Sequence, residues 1–325
     1  MSDRVVVASD GTPESHDAVV LGAALARGLG GGLSLVGVYH PEPILIPMLL
    51  REHRRTAKRY TEGYLRRERK LYAPEATIEA LWAESAPYAI RRYAERWPAG
   101  IVVIGSRPKA RTGHAAIGRR GRQLLAGGKF ALAIAARGLH RQSHGLRQIA
   151  VGFDDGAESH VALDLAARLT KQGDAELTLV GVVDPSPPAL AIPKLLPDRI
   201  EWEQALATAV ERLRERAQQA AAERGAHARV EVTVGDPGYE LRRFSSQVDL
   251  LVVGSRRWGT LARLFAGAVG ETLVADAGCS VLVVPRPTRA QPSGRSDPGV
   301  SAGEPAVGRE RAGRPPRTSQ PLLGR

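Results

Sequence analysis

The sequence predicts an α/β protein built from two tandem doubly wound five-stranded parallel sheets, packed together as a pseudo-dimer. Three observations support this fold class: the chain repeats itself once, each repeat contains five short apolar runs, and helical patterns separate those runs. Parallel neighbours need right-handed crossover connections, which are usually helices. An alternation of this kind therefore indicates parallel sheets with helices on their faces.

The internal repeat decides the architecture before any local pattern does. Three segments of the first half return in the same order in the second half, and the third pair has a slightly larger offset. They are residues 7–16 (VASDGTPESH) and 151–160 (VGFDDGAESH), residues 33–38 (LSLVGV) and 177–182 (LTLVGV), and residues 101–107 (IVVIGSR) and 250–256 (LLVVGSR).

The predicted strands are runs rich in Val, Ile and Leu that lack polar alternation, which is typical of strands covered on both faces. Two of the helical patterns cover residues 15–29 and 159–171, and Thr12 and Pro13 provide an N-cap and a first helical residue for the earlier one. The strands are expected at residues 4–9, 33–39, 77–81, 101–105 and 131–135, and at 148–153, 176–182, 228–234, 250–254 and 280–284.

These elements divide the chain into two domains and a tail. We expect domain 1 at residues 1–138 and domain 2 at residues 146–286, with a glycine-containing linker over residues 137–147. Residues 287–325 are rich in Pro, Gly, Ser and Arg and almost lack aliphatic side chains. Such a segment buries too little surface to offset its ordering entropy, so we expect a disordered basic tail.

Composition limits the classes of function. The 325 residues include 43% hydrophobic and 25% charged residues, a single cysteine and no run of about 20 apolar residues, so we expect a cytoplasmic protein that is not integral to a membrane. The formal net charge of +12 attracts anions. Aromatic residues make up 5% and do not interleave with a basic stripe, so we expect a solvated arginine-rich surface and no nucleic-acid partner.

Two positions in each half suit a ligand, because doubly wound sheets bind ligands beyond the carboxyl ends of strands where strand order reverses. Asp10 and Asp154 follow the first strand of each half, and either can bind a ligand or cap the next helix. The fourth strand leads into a glycine-containing loop, which in the second half covers residues 254–259 and continues to residues 267–269. Glycines and a helix N-terminus favour close approach of a phosphate.

Taken together, these segments resemble the universal stress protein family over residues 3–285. The resemblance rests on the opening strand with its DGTPES segment, on residues 177–184 (LTLVGVVD), on the Gly-Ser-Arg loop, and on residues 279–285 (CSVLVVP). It implies an adenine nucleotide alpha hydrolase-like fold and a non-catalytic role in the stress response. The family's ATP-binding members use a loop Gly-x2-Gly-x9-Gly-Ser/Thr, so the resemblance implies ATP as a ligand, with Mg accompanying the nucleotide.

Carried over to the second half, the family pattern implies a complete set of site positions with two departures. Arg257 replaces the second glycine, and it either obstructs the phosphates or pairs with them. Ala268 stands where the pattern has Ser or Thr. The implied contacts are Asp154 near the ribose or adenine, Val182 against the base, Val253 and Gly254 at the start of the loop, and Gly267, Ala268 and Val269 at the phosphates.

The first half departs further from the pattern. Its corresponding positions are Asp10, Val38, Gly105 and Gly118, but Pro108 replaces the second glycine and removes an N–H donor from the loop. We therefore expect ATP binding mainly in the second half. Several basic side chains surround the first-half loop and offer a way to hold phosphate by charge alone: Arg107, Lys109, Arg111, His114, Arg119, Arg120 and Arg122.

Other chemistry is less well supported by the sequence. The pairs Ser15-His16 and Ser159-His160 are explained by helix initiation, since no acid is placed to orient either histidine. Cys279 precedes an apolar strand and is expected to be buried. An enzyme of the related ATP-pyrophosphatase type would need a Ser-Gly-Gly-x-Asp-Ser loop, which neither half supplies, so we expect no catalysis.

Two questions stay open at this level. The chain could instead be a basic protein that has lost nucleotide binding and interacts with anions or nucleic acid through its basic loop, its tail and the helix around residues 51–72. That helix could also be a solvated surface or lie on an anionic membrane. The closing strands, residues 131–135 and 280–284, are sheet edges that the tandem chain can pair internally, and further homo-oligomerisation is left open.

Overall fold

All ten predicted strands form, and they join into one continuous sheet. The structure is a computed structural model. It describes residues 2–40, 47–125, 130–142, 145–172, 175–186, 199–255, 273 and 275–285, and it describes only the main chain of residues 47–50, 125 and 199. The predicted tail, residues 287–325, lies outside the described residues.

Each half alternates strands with helices. The first half contains β1 (Val5–Ser9), α1 (Pro13–Leu29), β2 (Leu33–Tyr39), α2 (Pro47–Tyr72), β3 (Thr77–Trp82), α3 (Ala86–Arg96), β4 (Ile101–Gly105), α4 (Arg119–Leu125) and β5 (Ala131–Ala135). The second half contains β6 (Gln148–Phe153), α5 (Ala157–Lys171), β7 (Glu176–Val183), α6 (Arg199–Glu223), β8 (Ala228–Val234), α7 (Pro237–Phe244), β9 (Leu250–Gly254) and β10 (Ser280–Val284).

The strand order is β3-β2-β1-β4-β5-β10-β9-β6-β7-β8. Neighbouring strands within each half are parallel, whereas β5 and β10 pair antiparallel, with Val281 opposite Ile134. The Ser280 hydroxyl supports this joint by accepting a 3.1 Å hydrogen bond from the main-chain N–H of Ala136. The predicted fold class is confirmed, and the two closing strands satisfy each other's hydrogen-bonding edges.

Local sequence explains why α1 begins and ends where it does. Thr12 lies in extended conformation and its hydroxyl accepts from the main-chain N–H of Ser15, and Pro13 is the first helical residue. Gly30 ends the helix at φ 62° with its N–H directed to the carbonyls of the last turn. A left-handed residue at that position favours glycine. This capped helix directs the chain back along the sheet to β2.

Helices cover both faces of the sheet. On one face, alternate residues of β1 such as Val5 and Val7 pack with α1, α2, α5 and α6. On the other face, Val6 packs with α3 and α4, and Leu241 of α7 lies in a smaller cluster of the second half. Side chains alternate between faces along a strand, so both faces of each strand must be apolar. No helix in the described ranges is both long and apolar enough to cross a membrane.

The segment expected to link the halves is anchored to α1. It contains a 3-10 helix, Leu139–Arg141, and the buried carboxylate of Asp17 accepts hydrogen bonds from the main-chain N–H groups of Gly138 and His140, both at 2.8 Å. Its Oδ1 also lies 2.6 Å from Nδ1 of His140. The connection between the halves is therefore fixed by the buried side chain of Asp17.

Candidate functional site

Two crevices lie where the strand order reverses. β1 has β2 on one side and β4 on the other, and β6 has β7 and β9 in the same arrangement. In the first half, the helices that follow β1 and β4, α1 and α4, cover opposite faces of the sheet, and such an arrangement opens a crevice at the carboxyl ends of the two strands. Asp10 directly follows β1 and Asp154 directly follows β6, so each crevice has an exposed aspartate at its centre.

In the second half, the structure brings four of the predicted residues together. Val253 precedes Gly254 at the end of β9, and it pairs in register with Gly152 of β6. Val182 of β7 is half-buried in the same apolar cluster as Val253, and Asp154 lies one residue beyond β6. The other predicted positions of this half, Arg257, Gly267, Ala268 and Val269, lie outside the described residues.

In the first half, the corresponding residues take matching places. Val38 is half-buried near the end of β2, Gly105 ends β4, and Asp10 follows β1. Gly118 directly precedes α4, and a Cβ added there would meet only the Cβ of Arg107, at 3.8 Å. Four of the predicted positions therefore surround the first crevice as well.

Both aspartates organise the turn that follows them. Oδ1 of Asp10 accepts a 2.6 Å hydrogen bond from the Thr12 hydroxyl, and Oδ1 of Asp154 accepts one of 3.0 Å from the N–H of Gly156. The next residue is left-handed in both halves, with φ 78° at Gly11 and 59° at Asp155. The hydrogen bond that each Oδ1 accepts agrees with the interpretation that these aspartates shape the helix start. Ligand binding by the same aspartates remains a prediction.

Gly105 and Gly254 have a packing reason to be glycine that is independent of any ligand. A Cβ at Gly105 would lie 2.2 Å from the carbonyl oxygen of Glu14, and one at Gly254 would lie 2.5 Å from the carbonyl carbon of Glu158. The first turn of α1 or α5 thus rests directly on the end of the fourth strand of its half. The glycine that opens each loop therefore does not by itself indicate a phosphate site.

The first-half loop, residues 106–118 between β4 and α4, folds back on itself and is hydrogen-bonded to the end of β5. The Ser106 hydroxyl donates to the carbonyl oxygen of Ala135 at 2.6 Å and accepts from the N–H of Ala116 at 3.1 Å. The N–H of Arg107 donates to the carbonyl of Ala116 at 2.8 Å. Six basic side chains of this loop and of α4 are exposed around it: Arg107, Lys109, Arg111, Arg119, Arg120 and Arg122.

His114, which the sequence grouped with these basic residues, is committed elsewhere. Its Nδ1 lies 2.8 Å from Oδ1 of Asp276 in the second half, and the adjacent Ala115 forms an antiparallel bridge with Ala277. The loop of the first crevice is therefore bonded to the segment that leads into β10. Nothing in the local sequence signals this contact, because its partners are about 160 positions apart.

A buried polar cluster beside the first crevice was not predicted. Glu68 of α2 is only 1% exposed, and its two carboxylate oxygens lie 2.6 Å from the Ser9 hydroxyl and 3.0 Å from the Ser15 hydroxyl. Burial raises the pKa of Glu68, and the two hydroxyl hydrogen bonds only partly oppose that effect. Tyr64 of the same helix packs on Gly11 and donates to the carbonyl oxygen of Ser9 at 3.2 Å, so α2 covers the turn that carries Asp10.

The expectation that no acid lies near the two Ser-His pairs was wrong. Nε2 of His16 lies 3.6 Å from Oε1 of Glu68, which comes from α2, and Nε2 of His160 lies 2.8 Å from Asp155. The helix-initiation interpretation still holds, because the hydroxyls of Ser15 and Ser159 lie 2.8 Å from the main-chain carbonyls of the preceding turn. The serines do not donate to the histidines.

The His16 ring also contacts the connection between the halves. It lies edge-on to the His140 ring with centroids 5.7 Å apart, and burial followed by the neighbouring His140 lowers the pKa of His16. Cys279 is free and buried as predicted, and burial raises its pKa. Within the described ranges, no three His, Cys, Asp or Glu side chains come together in a way that could hold a metal ion.

Comparison with known proteins agrees with the repeat and with the sheet. The model of the universal stress protein family matches residues 1–134 and again residues 145–285. The chain belongs to the universal stress protein family. The two matches correspond to the two halves of the sheet, and the anchored segment around Leu139–Arg141 lies between them.

Some relatives of this universal stress protein match one of its halves, and others match both halves. A universal stress protein of Methanocaldococcus jannaschii is 31% identical over 152 residues, which are 44% of this chain and 84% of the relative. The crystal structure of a universal stress protein from Archaeoglobus fulgidus covers 88% of this chain and 100% of its own length, with a TM-score of 0.65 and 14% identity. At that identity the likeness concerns the fold.

Proposed function

We propose that this universal stress protein is a non-catalytic regulatory protein of the stress response whose second half binds an adenine nucleotide. The observation that carries the proposal is the convergence of Asp154, Val182 and Val253 on one crevice at the point where strand order reverses. The family resemblance implies that Asp154 lies near the ribose or adenine, that Val182 lies against the base, and that Val253 lies with Gly254 at the start of the phosphate loop. A bound nucleotide would act as a signal that changes the protein's interactions.

The crevice offers suitable chemistry for a nucleoside. Val182 and Val253 are half-buried and provide an apolar surface for a purine ring, and the exposed carboxylate of Asp154 provides an acceptor for hydroxyl or amino groups. Gly254 and Gly267 keep the spacing of the family's ATP loop. We assign the phosphates, and any Mg that accompanies them, to residues 254–269.

We propose one nucleotide per chain, because the first crevice is less suited to phosphate. Pro108 has no N–H to donate, and the loop that follows it is bonded to the second half through Ala115 and Ala277. The exposed basic side chains around this loop offer charge without the main-chain donors that the family pattern supplies. Weak and strongly salt-dependent binding is therefore expected in this half.

The non-catalytic part of the proposal rests on the serine hydroxyls. Those of Ser15 and Ser159 face main-chain carbonyl oxygens, so neither histidine is placed to remove the serine proton. We also propose a cytoplasmic location, since the one cysteine, Cys279, is a buried free thiol and the chain needs no oxidising compartment. Release of inorganic phosphate from ATP should stay at the level of buffer alone.

Equilibrium dialysis with radiolabelled ATP, with and without Mg, tests the nucleotide site. Asp154→Asn removes the charge but keeps an acceptor for the turn, and Asp10→Asn makes the same change in the first half and serves as the matched control. We expect Asp154→Asn to weaken binding about tenfold or more and Asp10→Asn to leave it unchanged. Absence of ATP binding by the wild type, or equal losses in the two variants, would overturn the proposal.

A second variant addresses the residue that departs from the family loop. Arg257→Gly restores the family pattern at that position. If the arginine obstructs the phosphates, the variant binds ATP more tightly, and if the guanidinium pairs with them, the variant binds less tightly. Gly254 is unsuitable for substitution here, because a Cβ would meet the main chain of Glu158 and disturb the fold.

A further inference from the structure

The helices α2 and α6 occupy equivalent places in the two halves but carry very different charge. Each follows the second strand of its half and packs on that strand and on the third. α2 contains nine Arg and Lys against three Glu, whereas α6 contains four Arg against five Glu. Because α6 fills its place without a basic surface, the charge of α2 is not a requirement of the fold.

The basic residues of α2 form a stripe on its outer side. Arg55, Arg59, Arg66 and Lys70 are all exposed and follow one another at intervals of four, seven and four residues. These intervals return to the same side of an α-helix, and the stripe is about 22 Å long at 1.5 Å per residue. The buried residues of the helix, including Leu65, lie on the opposite side, against the sheet.

Most of this stripe is not neutralised within the chain. Glu62 pairs with Lys58 at 3.7 Å and with Arg66 at 2.7 Å. In the part of the chain that the structure describes, no carboxylate lies within 4.0 Å of the cationic nitrogens of Arg55, Arg59 or Lys70. Cations held side by side at this spacing repel one another unless an external anion lies across them.

An aromatic side chain flanks the stripe. Tyr60 is 74% exposed, the most exposed of the large hydrophobic residues in the described ranges, and its ring packs edge-on against Tyr64 with centroids 5.9 Å apart. Arg67 and Leu71 follow Tyr60 at intervals of seven and four residues, so they continue its line along the helix. A solvent-facing ring beside a stripe of arginine and lysine side chains combines a stacking surface with phosphate-binding charge.

The expectation of no nucleic-acid partner rested on the lack of aromatic residues along a basic stripe, and the exposed Tyr60 of α2 supplies one. We propose that the outer side of α2 binds single-stranded nucleic acid, with the stripe along the phosphates and Tyr60 stacked on a base. Single strands suit this surface because their bases are accessible for stacking, and binding of this kind tolerates many sequences. An anionic membrane suits it less, because the apolar side of α2 is packed in the core and is not available for insertion. The inference does not depend on nucleotide binding in the second half.

Fluorescence polarisation of the full-length protein with a labelled 20-nucleotide deoxythymidine strand tests this proposal. Arg55→Glu with Arg59→Glu reverses two exposed charges of the stripe. Arg212→Glu with Arg216→Glu reverses two exposed charges at the same spacing on α6, which gives a control with identical net charge. Residues 287–325 are unchanged in both variants, so attraction by the tail is the same in each.

We expect the α2 pair to lose at least tenfold in affinity and the α6 pair to stay within about threefold of the wild type. The slope of log K against log salt should fall by about 1.4 in the α2 pair alone, since each lost phosphate contact on a single strand contributes about 0.7. Tyr60→Ala should weaken binding at least about fivefold without changing that slope.

Three outcomes would overturn the inference. Equal losses in the two charge-reversed pairs would show general attraction to a basic protein, and absence of binding by the wild type at low salt would show a solvated surface. Tighter binding to vesicles of 30% phosphatidylserine than to the oligonucleotide, lost in the α2 pair, would assign the surface to a membrane. Matching thermal unfolding midpoints confirm that each variant is folded before affinities are compared.

Discussion

The Ser9 hydroxyl lies 2.6 Å from Oε2 of Glu68, although the two residues are 59 positions apart in the chain. This contact joins the end of β1 to α2 beneath the turn that carries Asp10. The described residues of the second half contain no counterpart of this contact, because Phe153 stands where the first half has Ser9 and its ring packs edge-on against His160, with centroids 5.2 Å apart. The polar cluster is therefore a property of one half of the duplicated fold.

Glu68→Gln should remove a pH dependence from the stability of the protein. Burial raises the pKa of Glu68 above its ordinary value of 4.5, so the stability that this group contributes is complete below pH 4.5 and is lost as pH rises through the folded-state pKa. Glutamine stays neutral and keeps an oxygen for the serines. Each unit of pKa elevation corresponds to about 1.4 kcal/mol.

Urea unfolding of wild type and Glu68→Gln between pH 4 and pH 8 measures this difference. The variant should gain stability relative to the wild type as pH rises, and the gain should level off above the folded-state pKa. A wild type that gains stability relative to the variant over the same pH range would show that Glu68 is stabilised as a carboxylate.

Asp17→Ala should destabilise the protein by about 2–4 kcal/mol. The carboxylate accepts hydrogen bonds from the main-chain N–H groups of Gly138 and His140, and the alanine variant leaves both partly buried donors without this acceptor. Asp17→Asn keeps one oxygen and should cost less. Denaturant unfolding compares the two, and an alanine variant within about 0.5 kcal/mol of wild type would contradict the anchoring role.

Gly105→Ala and Gly254→Ala should each cost about 1–3 kcal/mol, because the added Cβ meets the main chain of Glu14 or Glu158 and the helix start must shift. Gly63→Ala is the matched control. A Cβ at this exposed position of α2 meets nothing within 4 Å, so alanine should stabilise the helix by up to about 1 kcal/mol. Thermal unfolding distinguishes the two classes, and equal shifts in all three variants would exclude the packing explanation.

Cys279 should react with a thiol reagent only when the protein opens. The side chain is 4% exposed, and burial raises the pKa of the thiol, so little reactive thiolate is present at neutral pH. We expect labelling by 5,5′-dithiobis(2-nitrobenzoic acid) to be at least about a thousandfold slower in buffer than in 6 M guanidinium chloride. Comparable rates in the two solutions would show that the segment leading into β10, at the centre of the sheet, opens freely.

The strands were predictable because their signal is local. β2 and β5 begin and end at the predicted residues, since each is a short run in which apolar side chains predominate. β7 continues one residue further, to Val183, because that residue pairs with Val234 of the edge strand. α1 begins at Pro13 for the reason visible in the sequence, namely the cap that Thr12 provides.

The side-chain contacts near the first crevice were not predictable, because their partners come from distant elements. Glu68 reaches Ser15 from α2, and Asp276 reaches His114 from the other half. Neither Glu68 nor Asp276 lies in a motif, so only the packing of helices on the sheet brings them to their partners. The strand-end positions Asp154 and Val182, by contrast, follow from the topology alone.

The antiparallel pairing of β5 with β10 joins the two halves into one sheet. Because both halves belong to one polypeptide, they are always present in equal number. In a homodimer of two identical single-domain chains paired through the equivalent strand, every substitution would be present in both crevices at once. Covalent linkage removes that constraint, so one module can acquire a buried acid and a basic helix while the other keeps an apolar contact at the same place. Specialisation of the halves is thus a consequence of how the sheet is closed.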